Sequence, residues 1–190
     1  MILRYATPED ALLITKTVYY AFNNKFAHLV PDDPSAGFPL FYNYYLNGLR
    51  KIKEKIIISL GLENEIYAIL VIDGLGIPIF SGNPPLSVII QLYKDLGFKK
   101  LLRLIIGILL IEGYPPSSKY LYINTIIVKS KYRGKQIGST LMKKAELIAK
   151  KRHLKGLCLY VARGNKRALN LYRRLGYNLT GGFGNRFVVA

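Results

Sequence analysis

The stretch spanning residues 120–138 constrains the fold of this chain more than any other, because an apolar strand, a basic glycine-containing loop and an amphipathic helix follow one another without a break. Tyr120, Leu121, Tyr122, Ile123, Asn124, Thr125, Ile126, Ile127 and Val128 are mostly β-branched or aromatic, as in a largely buried strand. Beyond the loop, Ile137, Leu141, Ala145, Ile148 and Ala149 recur at helical spacing on one face and leave Lys143, Lys144, Lys150 and Lys151 on the other. The loop Lys131, Tyr132, Arg133, Gly134, Lys135, Gln136, Ile137, Gly138 is thus pinned at both ends. The first amides of a helix lack intrahelical acceptors, and the helix dipole adds about half a positive charge there. An anion at residues 134–139 satisfies those amides, with glycines allowing close approach. Taken alone, the loop serves equally well as a plain strand-to-helix turn with solvated basic side chains.

Composition narrows the choice. The 190 residues suffice for one well-cored domain over residues 1–190, and 51% hydrophobic content excludes a disordered chain. The longest strongly apolar run, residues 104–111, falls far short of the roughly 20 residues that cross a bilayer, so no membrane partner is expected. Met1, Ile2, Leu3 and Arg4 do not read as the start of a signal peptide. The single cysteine, Cys158, excludes an internal disulfide framework and points to a cytoplasmic protein, with Cys158 a buried structural thiol in a strand over residues 156–162. Charge is unevenly placed. Residues 1–112 carry 11 Lys and Arg against 10 Asp and Glu; residues 113–190 carry 17 against one, Glu146. Such a field attracts a polyanion: nucleic acid, an anionic membrane surface or a multiply phosphorylated cofactor.

Along the chain, residues 2–6 read as a strand. Thr7, Pro8, Glu9 and Asp10 form a helix start, and the helix runs to about His28. A second helix is expected over residues 40–59. Residues 66–72 and 75–80 form a hairpin about Asp73-Gly74. An insert over residues 81–118, bracketed by Pro84-Pro85 and Pro115-Pro116, is helical, with Leu86, Ile89, Ile90, Tyr93 and Leu96 on one face and a second apolar segment at 101–111. It suits a substrate pocket or a subunit interface, and with the last strands it offers a surface for a homodimer. After the loop and its helix come the strand at 156–162, a helix at 166–175, and closing strands near 177–180 and 186–189 hinged on Gly181-Gly182. One βαβ unit among mixed elements implies an α/β fold.

A second constellation partners the loop: Asn165, Ala168, Leu171, Tyr172, Leu175, Gly176 and Tyr177. Ala168, Leu171, Tyr172 and Leu175 share a helical face, Asn165 is a suitable cap, and Gly176 ends the helix. Tyr172 therefore faces inward. The two constellations, in this order and on these elements, resemble the GNAT superfamily of acyl-CoA-dependent N-acetyltransferases. Its loop pattern, Gln or Arg, two residues, Gly, one residue, Gly or Ala, takes in Arg133, Lys135, Ile137 and Gly138, with Gly134 at a position commonly glycine. Its later signature is met by Asn165, Ala168, Leu171-Tyr172 and Leu175-Gly176-Tyr177, and Ala6, Thr7, Pro8, Glu9 and Asp10 look like a common start. The resemblance covers the first strand and helix and residues 119 onward; the insert lies outside the most typical pattern.

The resemblance implies a mixed, mostly antiparallel central sheet flanked by helices, with a helical insert before the strand that precedes the loop. It implies acetyl-CoA as cosubstrate and no metal. The amides of Arg133, Gly134, Lys135, Gln136, Ile137, Gly138 and Ser139 are then expected to hold the pyrophosphate. Backbone groups of Ile126, Ile127 and Val128 pair with the pantetheine arm, and Asn165 contacts the cofactor. Tyr172 protonates the departing thiolate, and an amide of Ile126 or Val128 polarises the thioester carbonyl. Two features depart from the family. Gln136 stands where a glycine is usual, and Tyr120, Tyr122 and Asn124 occupy a strand on which many relatives carry a glutamate base. No residue is assigned as base; Tyr122 or Asn124 is expected to orient a water, with Glu112 a distant candidate. The acceptor is a primary amine of unassigned identity: a small molecule, a protein N-terminus or a lysine. The rival reading is a basic nucleic-acid-binding module of the same fold, with Tyr120, Tyr122, Tyr132 and Tyr160 stacking bases.

Overall fold

The computed structural model describes residues 1–21, 35, 37–51, 56–61, 65–73, 86–111, 118–183 and 186–189. In chain order the elements are β1 (Ile2–Tyr5), α1 (Ala11–Ala21), α2 (Phe38–Lys51), β2 (Ile56–Leu60), β3 (Ile66–Asp73), α3 (Leu86–Ile111), β4 (Leu121–Val128), α4 (Ile137–Lys151), β5 (Leu157–Ala162), α5 (Lys166–Arg174), β6 (Leu179–Phe183) and β7 (Arg186–Val189). Two compact units emerge: Met1–Arg4 with Lys55–Gly76 and Tyr114–Ala190, and Tyr5–Glu54 with Ile77–Gly113. Among the described residues no helix is long and apolar enough to cross a membrane.

The first unit is built on a seven-stranded sheet in the order β1-β2-β3-β4-β5-β7-β6. The pairs β2–β3, β3–β4, β5–β7 and β6–β7 are antiparallel, and β4–β5 is parallel. The parallel step follows from chain length: α4 gives the crossover that brings β5 back alongside β4 in the same direction. α4 packs on β3, β4 and β5. Its expected inner face, Ile137, Leu141, Ala145, Ile148 and Ala149, is buried, with Gly138 and Met142 added to it, and Lys143, Lys144, Lys150 and Lys151 are exposed. All five residues of β2 are buried, so both faces of that strand are covered. Mixed strands and helices in this arrangement are the α/β class expected.

Residues 56–59 correct one expectation: they form a strand, and the preceding helix ends at Lys51 among the described residues. A short run such as Ile56, Ile57, Ile58 has no periodicity that separates a buried strand from a buried helix. Its β-branched side chains and its partners decide, with Ile56 opposite Val71 and Ile58 opposite Ile69. The hairpin neighbour of β3 is therefore β2, closed by the Gly61 amide donating to the Glu65 carbonyl at 3.0 Å. The other proposed arm, residues 75–80, lies outside the described residues. Gly181 and Gly182 are not a hinge; they sit within β6, opposite Val188 and Phe187.

In the second unit, the Thr7 amide donates to the Asp10 carboxylate at 2.8 Å and the Asp10 amide to the Thr7 carbonyl at 3.0 Å, which starts the chain into α1. α1 is described to Ala21; residues 22–34 lie outside. Tyr19 meets Phe38 and Phe41 edge-on at 5.7 and 5.8 Å, tying α1 to α2. The insert is helical as expected, and Gly97, at φ 69°, breaks α3 into two segments. Of the residues that spacing groups on one face, Leu96 is buried and Ile89 half-buried, whereas Leu86, Ile90 and Tyr93 are exposed; Leu92, outside that group, is buried. Spacing groups residues on a face but does not say which face is covered.

The core of the first unit makes opposite predictions for neighbours in β2. Ile58 is fully buried, and Ile58→Ala is expected to cost about 2–5 kcal/mol in urea unfolding. The Ser59 hydroxyl is buried without a hydrogen-bond partner among the described residues, so Ser59→Ala is expected to be neutral or stabilising. A large loss in Ser59→Ala would show that the hydroxyl is bonded after all.

Candidate active site

β4 and β5 are joined through only three residue pairs, Leu121 with Leu157, Tyr122 with Cys158 and Ile123 with Leu159. Both strands run on past that point, β4 to Val128 and β5 to Ala162. On its opposite edge β4 stays paired with β3 as far as Val128, opposite Ala68. A shift of register leaves Asn124 without an opposite residue, since Thr125 faces Val71 and Ile123 faces Ile72. That is a bulge, which bends the strand and disrupts the ladder locally. The edge of β4 at Ile126 and Val128 that faces β5 is therefore left by that strand and accessible to an extended polar chain, which could add to it as a strand does, while the groups of Ile127 serve the β3 ladder.

The loop begins where this edge ends. A single helical turn, Ser130–Tyr132, is followed by Gly134 at φ 82° and Gln136 at φ 57°. The first bond of α4 runs from the Thr140 amide to the Gln136 carbonyl at 3.0 Å. None of the amides of residues 134–139 donates to a backbone carbonyl among the described residues. Arg133 differs from its neighbours. Its amide donates to the Ser130 carbonyl at 3.2 Å and its Nε to the Val128 carbonyl at 3.0 Å, so it braces the turn and leaves the free run to start at Gly134. These unpaired amides at the positive end of a 15-residue helix fit an anion such as a pyrophosphate.

The second constellation lies beside this loop. A Cβ at Gly138 would stand 3.4 Å from Leu171 Cδ2 and 3.7 Å from Val128 Cγ2, so α4, α5 and the end of β4 converge on Gly138. These are ordinary contact distances, which is why alanine also fits this position of the pattern. Asn165 caps α5, its Oδ1 accepting from the Ala168 amide at 3.1 Å. Tyr172 is buried, with no hydrogen-bond partner for its hydroxyl among the described residues, and burial pushes its pKa up to about 12. Its ring meets Tyr177 edge-on at 6.4 Å. The Tyr177 hydroxyl donates to Glu146, and burial first, then that bond, raises the Tyr177 pKa.

Residues that the sequence did not single out support the loop. The Tyr132 hydroxyl donates to the Glu65 carboxylate across 67 positions of chain. Lys129 and Lys131 lie 3.5 and 3.2 Å from the same carboxylate. The Tyr132 bond first, then the lysines, hold the Glu65 pKa below its usual value. Tyr132 also stacks on Tyr67, with centroids 3.6 Å apart and planes 27° apart. A Cβ at Gly61 would fall 1.7 Å from the Tyr67 ring, so only glycine leaves room for it. No spacing rule connects residues 61, 65 and 67 to 132. The same geometry counts against base stacking: Tyr132 and Tyr122 are buried, and Tyr122 is already packed edge-on against Tyr160 at 6.2 Å. A stacking platform needs exposed ring faces.

Gln136 adopts the left-handed conformation that a glycine takes without cost, and holding it there with a side chain costs about 1–2 kcal/mol. Gln136→Gly removes that cost while adding freedom to the unfolded chain worth about 0.4–1 kcal/mol, so a stability within about 1 kcal/mol of the original or above it is expected. Gln136→Val, β-branched, is expected to lose at least about 1 kcal/mol in urea unfolding. Equal stability of all three would mean that the left-handed turn is not held.

The model of the Acetyltransferase (GNAT) family matches residues 100–177. A thialysine N-epsilon-acetyltransferase of Bos taurus is 43% identical over 56 residues, which is 30% of this chain and about a third, 33%, of that relative's length. Among solved structures, an N-acetyltransferase from Staphylococcus aureus Mu50 is 20% identical over 100% of both chains with a TM-score of 0.68. A PaiA N-acetyltransferase from Thermoplasma acidophilum, in complex with coenzyme A, is 14% identical over 99% of this chain and 96% of its own, with a TM-score of 0.62. At these identities the structures speak for the fold alone, and the family match speaks for the segment that carries the loop and α5. Residues 100–177 therefore match the GNAT family model, and the fold is shared with solved N-acetyltransferases.

Proposed function

We propose that this protein is an N-acetyltransferase that moves an acetyl group from acetyl-CoA directly to a primary amine. The observation that carries the reading is the continuity of the open β4 edge with the unpaired amides of residues 134–139, which suits an extended amide-bearing arm ending in a pyrophosphate. In this reading residues 126–128 bind the arm, residues 134–139 the pyrophosphate, and Asn165 contacts the cofactor while capping α5. Acetyl-CoA supplies the activated thioester. The 17 Lys and Arg of residues 113–190, facing a single acid, add a long-range attraction for a polyanionic cosubstrate. The lone buried Cys158 accords with a reducing, cytoplasmic setting.

The chain's own groups account for the transfer. An amide of Ile126 or Val128 stabilises charge on the carbonyl oxygen as the amine nitrogen bonds to the carbonyl carbon and the carbon–sulfur bond breaks. Tyr172 gives its phenolic proton to the departing sulfur and regains one from water. The amine proton leaves through a water oriented by Tyr122 or Asn124. A phenol at about 12 opposes transfer to a thiolate at about 8.5 by about 5 kcal/mol, but sulfur emerging in the same buried site is raised in the same direction. The shift also keeps Tyr172 protonated throughout the physiological range. No carboxylate base is required: a base contributes about 10²–10⁴ in rate, whereas holding amine and thioester in attack geometry contributes roughly 7–11 kcal/mol.

A thermal melt tests the first claim. At a hundredfold excess over Kd, acetyl-CoA is expected to stabilise the fold by about 2.7 kcal/mol. No stabilisation, together with nucleic-acid affinity that falls steeply with salt, would reject the enzyme reading. With an acceptor found by screening amines and peptides for acetyl-CoA consumption, Tyr172→Phe should lower kcat by about 10²-fold or more and leave coenzyme A affinity largely intact. In the original enzyme kcat should show no decline from Tyr172 below about pH 10, because its raised pKa moves loss of the proton toward 12.

A further inference from the structure

We propose that Glu65 is a positioning residue for the coenzyme A loop, holding Tyr132 and the chain that enters the cradle so that the amides of residues 134–139 stay presented. The inference rests on the acetyl-CoA reading of that loop. Glu65 lies just before β3, yet three ties bind that end of the strand to the start of the loop. The Tyr132 hydroxyl donates to the Glu65 carboxylate, the Tyr132 ring stacks on Tyr67, and the Lys129 amide donates to the Tyr67 carbonyl at 3.0 Å. Tyr67 is in turn backed by Gly61, where no side chain fits. Tyr132 therefore cannot shift without opening this stack, and it stands two residues before the first free amide. Lys131 lies 4.9 Å and Lys135 5.5 Å from the centre of the same ring, so the loop's own cations gather on the side chain that Glu65 holds.

Electrostatics and positioning predict opposite signs. As a bare charge, Glu65 beside a cradle for an anion weakens binding, so Glu65→Gln should leave coenzyme A affinity unchanged or improve it. As a positioning residue it strengthens binding, and Glu65→Gln should weaken it. Calorimetric titration with coenzyme A is expected to show about a tenfold higher Kd for Glu65→Gln, from loss of a hydrogen bond to a charged group. Tyr132→Phe, which keeps the ring and its stack but loses the hydroxyl, should show a similar loss, and the double variant should be little worse than either, because the two groups act as one unit. KM for acetyl-CoA should rise with kcat held. In the free protein, amide hydrogen exchange over residues 133–139 should quicken in both variants while the melting temperature moves little. Glu65→Gln or Tyr132→Phe that binds coenzyme A as tightly as the original, with exchange unchanged, overturns the inference and leaves the acetyl-CoA reading standing. An original protein that binds no coenzyme A overturns both.

Discussion

The separation of β5 from β4 after Ile123 is the feature on which the rest of the site depends. A parallel ladder continued to Val128 would use the backbone groups of Ile126 and Val128 within the sheet and leave nothing for a ligand. The bulge at Asn124 supplies the local cause, because an extra residue on one strand bends it and interrupts pairing. β5 keeps its other edge through β7, with Tyr160, Val161 and Ala162 opposite Val188, Phe187 and Arg186. The sheet therefore tolerates the gap without losing a strand. The sheet's own integrity is carried by the deeply buried pairs of β2 and β3, such as Ile58 with Ile69 and Ile57 with Leu70.

The cradle that continues from this gap is a strained structure held by its neighbours. Gly134 and Gln136 both take positive φ, and only the first is a residue that does so without cost. Amides gathered at a helix start have no intrahelical acceptor and turn to water or to an anion. Such a turn persists when the surrounding structure over-determines it. α4 is fixed on one side by its buried face, and the Tyr132, Tyr67 and Glu65 cluster fixes the other. Each exposed Lys–Glu pair in that cluster contributes little by itself. The stacked ring and the half-buried hydroxyl bond give the arrangement its geometry.

Tyr172 shows a second use of burial. The same apolar surroundings that hold its ring against Tyr177 take water away from its hydroxyl and raise its pKa to about 12. Glu146, the lone acid among residues 113–190, is engaged by the Tyr177 hydroxyl. The negative charge in this half of the chain is thereby tied to the α5 end of the site, while the lysines of the outer face of α4 remain exposed and set the field.

The linear sequence determined whatever depends on neighbours in the chain. Residues 137–149 carry helical spacing strong enough to place the buried face of α4, Asn165 caps the helix it was expected to cap, and strand, loop and helix follow in the expected order. Tertiary structure alone decided whatever depends on partners far apart. Ile56, Ile57 and Ile58 became a strand because β3 lies beside them, and of the face that spacing groups on α3, Leu96 is buried while Leu86, Ile90 and Tyr93 are exposed. The end of pairing after Ile123 is set by the register of β4 against two neighbours at once. Gly61, Glu65 and Tyr67 gained their roles by meeting Tyr132 across dozens of residues, and the left-handed turn at Gln136 is imposed on a residue that would not choose it alone. Periodicity records which side chains share a face; it holds no record of what that face will meet.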